Sequence, residues 1–223
     1  MIEEKEILLD SAFEKQIASW CDNVQDTNDT AIMANDILES GVDTISVPAE
    51  NVPFVWICLE KSNVEIYTRY NFNPTDIDND FNDLVKNINQ VFKSGANGVQ
   101  IFVKMANYEK FMDLLSLVRD DLFFGHKLCI CMDINDIDIS KWDMIFEKLR
   151  ALRVDVFAIT LEQDDGKRSD FMGRVYGMLD AWNFDGVLHC IKINKNIRID
   201  EIMRLTEMLQ PDIYEKLRFF IEY

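Results

Sequence analysis

Short β-branched or apolar runs alternate with amphipathic helical patterns along the whole chain. The segments between the runs place apolar side chains three to four residues apart, as Phe81, Leu84 and Ile88 do. Ser11 and Glu14 form a capping box that predicts a first helix after residue 10. Candidate strands occupy residues 6–10, 43–48, 64–72, 98–104, 127–133, 154–161, 186–193 and 217–222. Strands that alternate with helices predict βαβ units and therefore a parallel sheet.

Eight such strands in 223 residues favour one closed (β/α)8 TIM barrel over an open α/β sheet. No linker rich in Pro, Gly or Ser divides the chain, so residues 1–223 are predicted to form a single domain. In this fold the functional face is built by the segments that follow the carboxyl ends of the strands. Those segments are residues 71–80, 104–107, 133–138, 162–168 and 194–198.

Net charge and cysteine content limit which binding partners and which cellular compartment are expected for this protein. The formal net charge is −17, a field that repels nucleic acid and anionic membranes and opposes a phosphorylated substrate. Five cysteines without a framework spacing predict free thiols, with Cys129 and Cys131 on one face of one strand. With no signal-peptide pattern and no apolar run of about 20 residues, a cytoplasmic protein is expected. No histidine or acidic cluster has the spacing of metal ligands, and no nucleotide-binding motif is present, so neither a metal nor a cofactor is expected.

Residues 45–103 resemble deoxyribose-phosphate aldolases. The shared pattern is a strand that ends in proline, then a helix, then a strand that closes in an Asn-Phe pair, and a long helix that leads into a Gly-Ala-Asn turn. Residues 127–161 are similar to the fifth and sixth strands of that family, residues 191–205 to its seventh strand and the next helix, and residues 217–223 to its eighth strand. The resemblance implies an aldolase-like TIM barrel whose members hold the substrate as a Schiff base on a lysine.

In that family the Schiff-base lysine lies on the sixth strand, a helper lysine on the seventh and an aspartate on the fourth. The corresponding residues of this chain are Ala158, Lys192 and Gln100. Glycine-rich backbone after the last two strands holds the substrate phosphate in the family, but no glycine of this chain follows Gly186. The resemblance therefore implies a divergent member in which two of three catalytic positions and the phosphate site are altered.

Lys192 lies in the apolar run HCIKIN, with Cys190 and Asn194 on the same face by the two-residue period. We expect this face to point into the barrel, toward its mouth, and His189 to point toward the helices. Lys192 is then either a reactive or ligand-binding amine or a structural charge paired with a carboxylate. Asp133 is the candidate partner or acid/base, and its alternative role is to cap a turn.

Lys104 follows the fourth strand, where a lysine commonly extends into water, although some class I aldolases place their lysine on a different strand. His126 is expected at the surface of the opposite, non-catalytic end. Trp20, Trp56, Trp142 and Trp182 lie on helical patterns and are expected to fill the core.

These observations favour a divergent protein of the aldolase type that lacks the family's activity. It would bind a small molecule at the carboxyl face, lined by Gln100, Lys104, Ala158 and Asn194, or act through interactions. The alternative is an active class I aldolase, a carbon–carbon lyase, that uses Lys192 as the amine and Asp133 as the acid/base on a small aldehyde or sugar phosphate. A barrel enzyme with unrelated chemistry is a third hypothesis, because a fold does not determine a function.

Overall fold

Eight parallel strands close into a barrel in the order of the chain. The structure, a computed structural model, describes residues 16–21, 27–160, 168–191 and 199–222. The strands are β1 (Ile17–Trp20), β2 (Thr44–Val47), β3 (Glu65–Phe72), β4 (Gly98–Val103), β5 (Lys127–Asp133), β6 (Val156–Thr160), β7 (Val187–Ile191) and β8 (Arg218–Glu222). β1 pairs with β8, with Ala18 opposite Phe220, and this pairing closes the ring.

Helices connect the strands as expected for βαβ units. They are α1 (Thr27–Ser40), α2 (Val52–Leu59), α3 (Ile77–Lys93), α4 (Met105–Ser116), α5 (Arg119–Leu122), α6 (Trp142–Ala151), α7 (Arg168–Asp180), α8 (Ile199–Leu209) and α9 (Pro211–Tyr214). Single 3-10 turns occupy Ala49–Asn51, Ile134–Asp136 and Ile139–Lys141. No helix in the described part of the chain is long and apolar enough to cross a membrane.

The predicted TIM barrel is confirmed, and seven of the eight predicted strands match β2 to β8 within about two residues at each end. The first is wrong. The barrel strand β1 is Ile17–Trp20, whereas residues 6–10 lie outside the described residues. Trp20 was expected on a helix but instead belongs to this strand, with 4% of its surface exposed. The sequence pattern just before this strand, Ser11 with Glu14, instead predicted a helix.

Two layers of apolar packing follow from the alternation of side chains along each strand. We call the layer inside the barrel the inner cluster, which consists of Ala18, Trp20, Tyr67, Cys129, Cys131, Val156, Ala158, Ile191 and Phe220. Strand residues of the opposite phase, such as Ile130, Ile159 and Cys190, pack with the helices in a larger outer core. The interior is therefore filled by side chains rather than being a channel.

The amino-terminal half of the interior is filled by the ring of Tyr67, which packs over Gly98. A Cβ atom at position 98 would lie 2.6 Å from Cε1 of that ring. Below this level, ion pairs join Lys127 Nζ to Glu65 Oε1 at 2.5 Å and Arg218 Nη2 to Asp43 Oδ2 at 2.9 Å. Space for a ligand is thus left at the carboxyl end of the barrel.

Candidate ligand-binding site

A cleft of about 390 Å³ opens at the carboxyl ends of β3 to β6. Its lining consists of Asn71, Phe72, Asn73, Phe102, Val103, Lys104, Cys131, Asp133, Asp136 and Thr160. A second groove, of about 370 Å³, continues from Asn71 to Asn73 along the start of α3 and is lined further by Asp80 and Asp83. The cleft lies on the face that the barrel fold uses for binding and catalysis, as the sequence predicted.

Asp133 and Lys104, two of the predicted site residues, meet at this cleft. The Asp133 carboxylate accepts a hydrogen bond of 2.8 Å from the backbone N–H of Asn135, so it caps the 3-10 turn that follows β5. Lys104 is exposed and stands immediately before α4. The turn-cap role of Asp133 is thus observed, and its carboxylate also contributes to the wall of the cleft.

Gln100, predicted to line the site, lies fully buried inside the barrel, beneath Phe102 on the same strand. Its Oε1 accepts a hydrogen bond of 2.6 Å from Ser46 Oγ on β2. Among the described residues its Nε2 has no hydrogen-bond partner. A buried amide donor without an acceptor is costly unless water or a ligand oxygen completes it.

Arg69 brings a positive charge into the interior beside Ser46 and Gln100. Its Nη1 donates to Ser46 O at 3.1 Å and to Ser46 Oγ at 3.3 Å, and its Nη2 donates to Cys21 O at 2.8 Å. The guanidinium carbon lies 4.0 Å from the centre of the Trp20 ring, a cation–π distance. Two strands and an aromatic ring therefore hold the cation in one orientation.

Sequence reasoning missed Arg69. The sequence does contain an indication, because an arginine lies within the predicted strand EIYTRYNF. If its side chain points into the barrel, its charge must be paired or hydrogen-bonded there.

Ala158 is the residue that the sequence resemblance aligns with the Schiff-base lysine of the aldolases, and it lies on β6. It is fully buried, and its register partners are Cys131 on β5 and His189 on β7. Burial raises the pKa of the Cys131 thiol well above its usual range, and Cys129 Sγ, 3.6 Å away, adds to the rise. The Cys131 thiol is therefore protonated at neutral pH and is a poor nucleophile.

His189 points into the barrel, contrary to the prediction that it would face the helices. Its ring centre lies 6.0 Å from that of Tyr67 and 5.1 Å from that of Phe220, both of the inner cluster. Burial, together with the nearby charges of Arg218 and Lys127, lowers its pKa to about 3. Its Nδ1 is buried, with no hydrogen-bond partner among the described residues. His189 is consequently a neutral imidazole at physiological pH.

Cys190 lies in the opposite phase and packs in the outer core, so the prediction that its face points inward is wrong. That prediction was the reason for placing Lys192 at the mouth. Lys192 and Asn194 themselves lie outside the described residues.

Over the residues that the structure describes, no group of three His, Cys, Asp or Glu side chains could hold a metal ion. His126 is half-buried at the amino-terminal end, and its ring stacks on Phe92 with centres 3.9 Å apart. The cysteines are free, and four of the five are buried, with Cys58 exposed.

Comparison with solved structures relates this barrel to aldolases. A protein from Coccidioides immitis designated a deoxyribose-phosphate aldolase is 9% identical, with a TM-score of 0.70 over 94% of this chain and 81% of that one. The deoxyribose phosphate aldolase from Aeropyrum pernix is 12% identical, with a TM-score of 0.65 over 86% of this chain and 82% of that one.

Solved structures with other designations share this fold. A phosphoenolpyruvate phosphomutase from Streptomyces platensis is 10% identical, with a TM-score of 0.58 over 85% of this chain and 73% of that one. No family model and no curated protein matches the sequence. The comparisons therefore confirm the aldolase-like barrel, and at these identities they establish the fold alone.

Proposed function

We propose that this protein binds a small, polar, non-phosphorylated molecule in the cleft at the carboxyl face and does not catalyse Schiff-base aldol cleavage. The observation that carries the proposal is Ala158, fully buried where the resembling family has its reactive lysine. A methyl group there cannot form a covalent adduct with a carbonyl, and its neighbours in the inner cluster leave it no access to water.

Schiff-base catalysis requires an amine that loses its proton readily, which proteins achieve by desolvation or a second cation. Every lysine in the described ranges is exposed or half-exposed, including Lys104 at the cleft. Among the described residues, Arg69 brings a cation into the barrel, and its guanidinium cannot give up a proton to become a nucleophile. These features favour binding over covalent catalysis.

The cleft supports a ligand that carries hydroxyl or carbonyl groups. Its volume lies within the range of small-molecule sites, about 300 to 1,000 Å³. Asn71, Asn73 and Thr160 offer both donors and acceptors, whereas Asp133 and Asp136 would repel a phosphate. An uncharged sugar or a small hydroxy-carbonyl compound has the matching chemistry.

Two measurements test the proposal on the full chain. In the first, the protein is incubated with small aldehydes, or with deoxyribose and its phosphate, in the presence of borohydride, and its mass is measured. We expect no reduced adduct in the wild type or in Lys104→Ala. An adduct that disappears in Lys192→Ala would refute the proposal and establish the lyase alternative.

The second measurement concerns binding. Ligand-detected NMR should show uncharged pentoses or hydroxy-carbonyl compounds bound more tightly than their phosphates. Asn71→Ala, which removes a polar group of the cleft wall, should weaken that binding, while the outward-facing Asn89→Ala on α3 should not. Tighter binding of the phosphates, or equal effects of the two variants, would contradict the assignment.

A further inference from the structure

Helix α2 presents an apolar surface to solvent on the flank of the barrel, away from the cleft. Its sequence, VPFVWICL, contains no charged residue, and Val52, Val55 and Leu59 are buried against the barrel. Phe54, Trp56 and Ile57 are nevertheless 47%, 42% and 66% exposed. We call Phe54, Trp56, Ile57 and Cys58 the α2 surface. The helix is thus apolar all round but buried on one side only, which soluble proteins seldom leave uncovered.

The α2 surface is formed by side chains whose positions the helix fixes. At 100° per residue, Ile57 projects directly opposite Val55 and Leu59, Phe54 lies beside it, and Cys58 lies at the edge of the exposed side. Trp56 packs on Gly95, just after the end of α3, so closely that a Cβ atom at position 95 would lie 2.2 Å from the indole ring. An aromatic side chain supported in this way adds contact area at little cost in entropy, as do the anchors of protein interfaces.

Acidic residues predominate around the α2 surface, although Lys61 directly follows Glu60 and Lys93 lies two residues before Gly95. Residues 16–60 contain no lysine, arginine or histidine, and Lys61 is the first basic residue after them. The acidic residues that the structure describes in this stretch are Asp29, Asp36, Glu39, Asp43, Glu50 and Glu60. Asp43 pairs with Arg218, whereas Glu50 and Glu60 directly flank α2 in the sequence.

We propose that the α2 surface is a docking site for a basic, amphipathic segment of a partner protein. An apolar centre with an acidic border complements a segment that has apolar residues on one face and lysine or arginine on the other. A second copy of this chain would bring acidic borders together, and an anionic membrane would be repelled by the same charges. The proposal is independent of ligand binding in the cleft and adds to it.

The test uses two synthetic peptides of about 18 residues, or five helical turns. One places leucine on one face and lysine on the other, and its counterpart replaces every lysine with glutamate. Binding of each fluorescently labelled peptide to the full chain is followed by anisotropy. We expect the Leu/Lys peptide to bind at least about tenfold more tightly than the Leu/Glu peptide, with affinity falling as salt rises.

Cys58 reports where the peptide binds, because it is exposed while the other four cysteines are buried. The rate at which iodoacetamide alkylates Cys58 is measured by mass spectrometry with and without the Leu/Lys peptide. We expect alkylation to slow in proportion to the fraction of protein bound. Binding that leaves this rate unchanged would place the peptide elsewhere and overturn the assignment.

Matched substitutions separate the α2 surface from general attraction between a basic peptide and an acidic protein. Phe54→Ser and Ile57→Ser remove apolar contacts at the site, whereas Leu117→Ser and Phe124→Ser remove the 78% and 86% exposed side chains of another region. We expect each of the first pair to weaken binding about tenfold, equivalent to about 1.4 kcal/mol, and the second pair to have little effect.

Three results would overturn the proposal. They are an absence of binding by the Leu/Lys peptide, equal effects of the two pairs of substitutions, and equal affinity for the two peptides. Sedimentation of the protein alone adds a fourth: a dimer that Ile57→Ser dissociates and Phe124→Ser does not would assign the α2 surface to a second copy of the chain.

Discussion

Replacing His189 with leucine should remove a dependence of folding stability on pH between 8 and 5. The imidazole is 4% exposed inside the barrel. Burial lowers its pKa from the ordinary value of 6.5 to about 3, with further lowering from Arg218 and Lys127 and a smaller opposing effect of Asp43. In the unfolded chain the same group binds a proton as the pH falls through 6.5. Over this range the unfolded state therefore binds more protons than the folded state, and stability falls with decreasing pH.

The size of the effect depends on how far the pH lies below the pKa of the unfolded state. At pH 8 the group is neutral in both states and contributes nothing. At pH 5 it is protonated when unfolded and still neutral when folded, which favours unfolding by 1.36 kcal/mol per pH unit below 6.5, or about 2 kcal/mol. Because pH 5 lies well above the folded pKa, this figure depends mainly on the unfolded value.

The assay is urea denaturation at pH 8, 7, 6 and 5, followed by tryptophan fluorescence. We expect the wild-type free energy of unfolding to fall between pH 8 and pH 5 by about 2 kcal/mol more than that of His189→Leu. Ile191→Leu, an uncharged change in the same inner cluster, should retain the wild-type dependence. Parallel pH curves for the wild type and His189→Leu would refute the conclusion that the folded protein keeps this imidazole neutral.

Two further substitutions test the packing. Ser46→Ala removes the hydroxyl that donates to Gln100 Oε1 and leaves a buried carbonyl without that donor, so we expect a loss of about 1 to 3 kcal/mol in urea denaturation. Gly173→Ala in α7 adds a methyl group that meets no atom within 4 Å and should raise stability by about 0.8 to 1 kcal/mol. Gly177→Ala, in the same helix, should gain less, because its methyl group would come within 3.3 Å of Ile139.

The order of the elements could be predicted from the sequence because most strands and helices are long enough to show their periods. β3, β4 and β5 contain β-branched or aromatic residues and begin at a glycine or a charged residue. α3 has four buried residues at helical spacing. The exception is β1, which follows a segment whose capping box predicts a helix. Closure of the barrel gives this segment two register partners on β2 and four on β8, a long-range effect that local patterns do not record.

The candidate site was harder to predict for a different reason. A strand buried on both faces, such as VLHCI in β7, is apolar on both, so its sequence does not indicate which phase points inward. The structure gives the inward phase to His189 and Ile191 and the outward phase to Cys190. Ala158 and Gln100 were predicted to line the ligand site, but both are fully buried inside the barrel and neither is among the residues that line the cleft.

The close packing of Tyr67 over Gly98 has a consequence for how this chain can evolve. A side chain larger than hydrogen at position 98 would occupy the volume of the tyrosine ring, with backbone O of Lys127 3.0 Å away on the other side. Position 98 therefore cannot gain a side chain while Tyr67 is present, and a substitution there is accessible only after Tyr67 has become smaller. Among sequences of common descent the two residue volumes should be anticorrelated. Such covariation between β3 and β4 would identify the register in which Tyr67 lies opposite Gly98.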